Sequence, residues 1–153
     1  YDLNEAECKE ISHIANGNFI MAKEIVQTSD ESKEYFELFV QVMRDSYSRN
    51  AKGMKTWTDD MARLGRKRQI SFLQYAQRMI RENFILNLKN SSLNYMTNFE
   101  NDFSVRFSPF VNEKNIWSLL SELESAERHI EQNAQAKLVF FDLALKLIML
   151  LKR

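Results

Sequence analysis

Two histidines, one cysteine and one dense run of basic residues are the groups in this chain whose types and spacing invite chemistry. Glu10-Ile11-Ser12-His13 matches one Glu-x-x-His element of a di-iron helical bundle, but such a centre needs two of these elements plus carboxylates from the other helices. His129 follows Glu127 at the wrong spacing to supply the second. Helix-face histidines in water are the plain alternative, and no metal is expected. Cys8 sits among Glu5, Glu7 and Glu10, surroundings that do not favour a nucleophilic thiolate. No glycine-rich phosphate loop or dinucleotide fingerprint occurs. The expectation is a protein with no catalytic site and no cofactor.

Arg63, Arg66, Lys67 and Arg68, followed by Arg78 and Arg81, form the densest basic cluster. They can contact phosphates, form a subunit interface or face water. Phe72 and Tyr75 fall at core spacing and offer no stacking platform. A second polar pair, Asp142 and Lys146, stands at the i,i+4 spacing of a supporting ion pair.

The elements that must position these residues are helical. Only three Gly and one Pro occur in 153 residues, and apolar residues recur at helical spacing, so an all-α bundle is expected. A chain of this length buries roughly two-thirds of its unfolded surface. The lone Cys8 excludes an internal disulfide and favours a reducing, cytoplasmic setting. The residues at hand contain no secretory signal. The longest apolar run, Leu138 to Leu151, is interrupted by Asp142 and Lys146 and is shorter than the ~20 residues of a membrane span. Tyr1-Asp2-Leu3, with no initiator Met, reads as the middle of a longer protein.

Net charge is zero but unevenly placed. Residues up to Leu38 carry nine acids and three bases, Phe39 to Asn90 eleven bases and four acids, and the remainder seven bases and eight acids. Such asymmetry guides docking between parts or subunits, or marks unrelated solvated faces.

Asn4 is placed to cap a helix reaching Asn16, with Glu5 and Glu7 in its first turn. Gly17 then stops that helix and Asn18 begins another through about Gln27, making a tight helix-Gly-helix corner. Thr28-Ser29-Asp30 reads as a polar break and the one domain boundary. A long helix from Glu31 to Arg49 carries an apolar stripe of Tyr35, Phe36, Phe39, Val40, Val42, Met43 and Tyr47. Asn50 to Gly53 reads as a loop before a short helix, Thr56 to Leu64, that Gly65 ends. A second long helix, Arg66 to Leu88, has core positions Ile70, Phe72, Leu73, Ala76, Met79, Ile80, Phe84 and Leu88. Short helical pieces are expected around Leu93 to Met96 and Phe99 to Phe107, with Pro109 breaking the pattern. Asn112 caps a helix from Glu113 to about Gln132, and Asn133 precedes the last, Ala134 to Leu151.

That last helix is apolar almost all round, with only Gln135, Asp142 and Lys146 in a polar stripe. It must be central in its bundle or covered by another subunit. No repeat of 20 to 50 residues is present, which argues against a solenoid.

Taken in order, the Gly17 corner, Trp57 to Gly65 leading into Arg66-Lys67-Arg68-Gln69-Ile70-Ser71-Phe72-Leu73-Gln74-Tyr75, Met79-Ile80-Arg81-Glu82-Asn83-Phe84 and Asn133-Ala134-Gln135-Ala136-Lys137-Leu138 resemble the C-terminal part of a family. It is the delta prime family of clamp-loader subunits of bacterial DNA polymerase III, in the form found in Bacteroidetes. The resemblance covers nearly the whole chain and rests on the order of the motifs.

It implies residues 1–28 as the end of an AAA+ lid and residues 30–153 as a helical collar. Collars of five subunits in that family close into a ring, so the implied partners are the delta and gamma/tau type subunits. DNA would be met only through the full complex, with no membrane, no small-molecule substrate and a cytoplasmic, replisome-associated location. The resemblance also sets Ile20, beside Gly17 and Asn18, where ATP-hydrolysing relatives hold a sensor arginine, and an aliphatic side chain cannot stabilise phosphate charge. The alternative function is a helical nucleic-acid-binding domain using the face from Arg63 to Arg81.

Overall fold

A computed structural model of the chain describes residues 5–9, 19–88 and 96–151. Those residues form an all-α bundle with no strand. Residues 5–9 are helical, and Glu7 reaches Lys33 at 3.5 Å. Six helices follow, which we number α1 (Phe19–Ser48), α2 (Ala51–Arg63), α3 (Arg66–Asn87), α4 (Asn98–Phe107), α5 (Ile116–Glu131) and α6 (Ala136–Leu151). A 3-10 turn, Ser108–Phe110, joins α4 to the α5 approach, with Pro109 inside it.

The expected break at Thr28 to Asp30 is not a break in the helix, because α1 runs through it without interruption. Thr, Ser and Asp cost only a few tenths of a kcal/mol each inside a helix. Thirty residues with a strong apolar stripe carry three of them easily. α1 stops where Arg49 takes a left-handed φ of 58°. Asn50, expected in a loop, is instead the cap of α2, its side-chain oxygen accepting from the Gly53 amide at 3.1 Å. Gly65 separates α2 from α3 with a φ of 84°, a conformation that costs glycine nothing.

Core packing explains the rest. α2 buries Met54, Trp57, Thr58 and Met61, one face at i, i+3, i+4 and i+7. Trp57 is fully enclosed, edge-on to Phe72 and Phe140, and its indole N–H donates to the Leu38 carbonyl at 3.0 Å. α3 is the most deeply set helix, burying Gln69, Gln77 and Asn83 beside its expected apolar positions. Each buried amide NH2 has an acceptor: Gln69 donates to Met61 O, Gln77 to Glu127 and Asn83 to Met79 O, while the Asn83 side-chain oxygen has no partner among the described residues. Phe72, Leu73, Ala76, Met79 and Ile80 are core as expected, whereas Leu88, at the helix end, is exposed. Tyr47 also departs from the core stripe of α1 and packs at the surface on Phe110.

α5 lies between α3 and α6, and α6 packs in turn on α2, α5 and α1. Asn133, at φ 66°, turns the chain between α5 and α6. Asn115 ties the far end of that hairpin, donating to Phe110 O at 2.7 Å and Leu150 O at 3.2 Å while accepting from the Asn112 amide.

Candidate interaction surface

α6 is neither central nor covered among the described residues. Phe140, Leu143, Ala144, Leu147 and Leu151 fill the core, and the opposite side is bare. Leu138 (64%), Phe141 (42%), Leu145 (45%) and Met149 (76%) are exposed there. Their steps of 3, 4 and 4 residues keep them on one face, and eleven residues at 1.5 Å each make a stripe about 16 Å long.

Both flanks of the stripe are polar and tied down. On one side Lys137 pairs with Asp59 of α2 at 3.2 Å. On the other Lys146 bridges Asp142 at 2.8 Å and Glu122 of α5 at 3.0 Å. The expected Asp142 and Lys146 pair is therefore present, and it also clips α6 to α5. The two carboxylates, Asp142 first, hold the Lys146 proton more firmly than water does. An apolar centre with a charged rim is the anatomy of a protein interface.

A second apolar surface sits on the other side of α5. Trp117 is 78% exposed and overhangs a groove between α3 and α5 floored by Phe84, Ile85, Ile116 and Leu120, with Arg81 and Glu113 at its edges. Single exposed apolar residues are ordinary; two grouped patches on different helices are not. Sequence reasoning did not single out Trp117, because adjacent helical residues can both be buried, as Leu119 and Leu120 are, and only the packing shows it exposed.

The basic cluster is divided by the fold. Arg78 pairs with the buried carboxylate of Glu100 at 2.6 Å, Arg63 with Asp60 at 3.7 Å, and Arg68 with Glu34. Arg68 also lies 5.9 Å from the centroid of the Tyr35 ring. Arg66, Lys67 and Arg81 make no ion pair among the described residues. The first two share one turn of α3, and Arg81 lies about 21 Å further along. Gln74, between them, donates to Glu127 at 2.9 Å.

Glu100 is the best-connected polar group. It is 2% exposed and accepts from Tyr75 OH at 2.6 Å, Arg78, and both the amide and hydroxyl of Thr97 at 3.1 Å. Thr97 and Glu100 form a capping box that starts α4. Burial, then the Glu100 carboxylate, pushes the Tyr75 hydroxyl far above its ordinary range. The arrangement locks α4 onto α3.

Gly17 and Asn18 lie outside the described residues, as do Glu10 and His13. Ile20 falls in the first turn of α1, and its side chain is outside the described set. No helix among the described residues is long and apolar enough to cross a membrane. Comparison with protein-family models, with curated proteins and with solved structures returned no match.

Proposed function

We propose that this chain is an assembly module: the collar, with the end of a lid, of a delta prime type clamp-loader subunit. It would pack against the collars of delta and gamma/tau type subunits without hydrolysing ATP itself. The observation that carries the reading is the pair of dissimilar apolar surfaces, the α6 stripe and the Trp117 groove, with α5 between them. A subunit in a heteromeric ring has two unlike neighbours and needs two unlike faces.

The distribution of charge lends further support. Arg63, Arg68 and Arg78 are engaged with acids of the same fold, which favours assembly over direct phosphate binding by this face. The test is reconstitution with purified clamp-loader subunits followed by size-exclusion chromatography. A stable hetero-oligomer containing the chain is expected. A folded chain that elutes alone from every mixture overturns the proposal.

A further inference from the structure

Where α1, α4 and the 3-10 turn meet, the surface opens into a pocket of about 290 Å³. Met43 and Phe107 are buried in its wall. Phe110 stands 6.1 Å from Phe107 and 4.9 Å from Tyr47, centroid to centroid, and the Tyr47 ring forms an exposed lip. Phe103, Leu151 at the end of α6, Arg44 from α1 and Arg106 from α4 complete the lining, and no acid does.

Neither guanidinium has an ion-pair partner among the described residues. The Asp45 carboxylate, next to Arg44, instead accepts from the Asn50 side-chain Nδ2 at 3.2 Å. Asp102, one turn before Arg106, makes no ion pair with it. This differs from α3, where three arginines of the cluster are neutralised within the fold. Two unpaired, always-charged forks from separate helices at one aromatic-walled opening make a receptor for an anion with an apolar body. The volume is at the small end for ligand sites, so it suits one ring and its acid group and not a nucleotide cofactor.

We propose that this pocket binds a carboxylate carried on an aromatic or branched apolar body, with Arg44 and Arg106 holding the carboxylate and the rings of Tyr47, Phe107 and Phe110 enclosing the body. A free organic acid and the C-terminal residue of a peptide share that chemistry. No residue of the α6 stripe lines the site, although Leu151 at the end of α6 does, and the proposal does not depend on the assembly reading.

The experiment titrates the whole chain with 3-phenylpropionate, with 3-phenylpropionamide, and with acetyl-Gly-Gly-Phe in free-acid and amidated forms, followed by amide chemical shifts. Saturable shifts clustered at Tyr47, Phe107 and Phe110 are expected for the acids. The amides should bind on the order of tenfold more weakly, a factor set by the lost charge-assisted hydrogen bonds. Binding of phenylpropionate alone identifies a free acid as the ligand type; binding of the peptide acid as well identifies a chain terminus.

Arg44→Gln with Arg106→Gln should lower acid affinity to that of the amide. Arg128→Gln, which removes a charge from α5, should change nothing. Tyr47→Ala should weaken acid and amide alike. Equal affinity for acid and amide, shifts located elsewhere, or no saturable shift with either acid overturns the proposal.

Discussion

Replacing Glu100 by Gln keeps the side chain's shape and removes its charge. The carboxylate accepts four hydrogen bonds, two on each oxygen, and an amide has only one oxygen to offer. If that oxygen meets Arg78 and Tyr75, the new NH2 faces the Thr97 amide donor; if it meets Thr97, the NH2 faces Arg78. Either way one donor is left opposing another. A hydrogen bond to a buried charged acceptor is worth about 1.5–3 kcal/mol. The Arg78 share is discounted because that side chain is 41% exposed and can turn to water.

The expected loss for Glu100→Gln is about 2–3 kcal/mol, and about 3–4 kcal/mol for Glu100→Ala, which also removes half of the capping box. For a domain of this size that lowers Tm by about 5–10 °C. Urea unfolding followed by helical circular dichroism measures it. A double-mutant cycle with Tyr75→Phe should give a coupling of about 1 kcal/mol. A Glu100→Gln protein within about 0.5 kcal/mol of wild type, with unchanged slope, refutes the claim that this network fixes α4 on α3.

The Tyr75 hydroxyl holds its proton in the folded state far above the ordinary tyrosine range, whereas the unfolded chain releases it near pH 10. Its contribution is therefore complete below about pH 10 and declines above it by up to ~1.4 kcal/mol per unit, because the folded state then binds more protons. Denaturant midpoints between neutral and alkaline pH should show this decline, and Tyr75→Phe should flatten it. Leu143→Ala, at a fully buried site of α6, should cost about 2–4 kcal/mol, whereas Leu145→Glu, on its outer face, should change urea stability by less than about 0.5 kcal/mol. Gly65→Ala meets no atom within 4 Å but must hold a φ of 84°, so thermal unfolding should report a loss of about 1–2 kcal/mol from backbone strain alone.

The helical class and most helix ends were legible because Gly65, Pro109 and Asn133 act through their own backbone preferences. The Asp142 and Lys146 pair was legible for the same reason, as i,i+4 spacing is local. What escaped was set by tertiary packing. Tyr47 and Leu88 match the helical period but sit beyond the neighbouring helices that would cover them. Thr28 to Asp30 looked like a break because local polarity says nothing about the helix continuing on either side. The apolar surround of α6 left two placements open, and the exposure of Leu138, Phe141, Leu145 and Met149 rules out a central one. The roles of Arg63, Arg68 and Arg78 depended on Asp60, Glu34 and Glu100, and two of those acids lie more than twenty residues away in sequence.

We propose above that the outer stripe of α6 is an assembly face. Sedimentation velocity on mixtures of the chain with clamp-loader subunits tests it most directly, comparing wild type with a Phe141→Glu and Leu145→Glu double variant that circular dichroism shows to be folded. A fast-sedimenting hetero-oligomer is expected with wild type, and its loss with the variant. A variant that enters the complex as readily as wild type, or a wild-type chain that sediments alone, contradicts it.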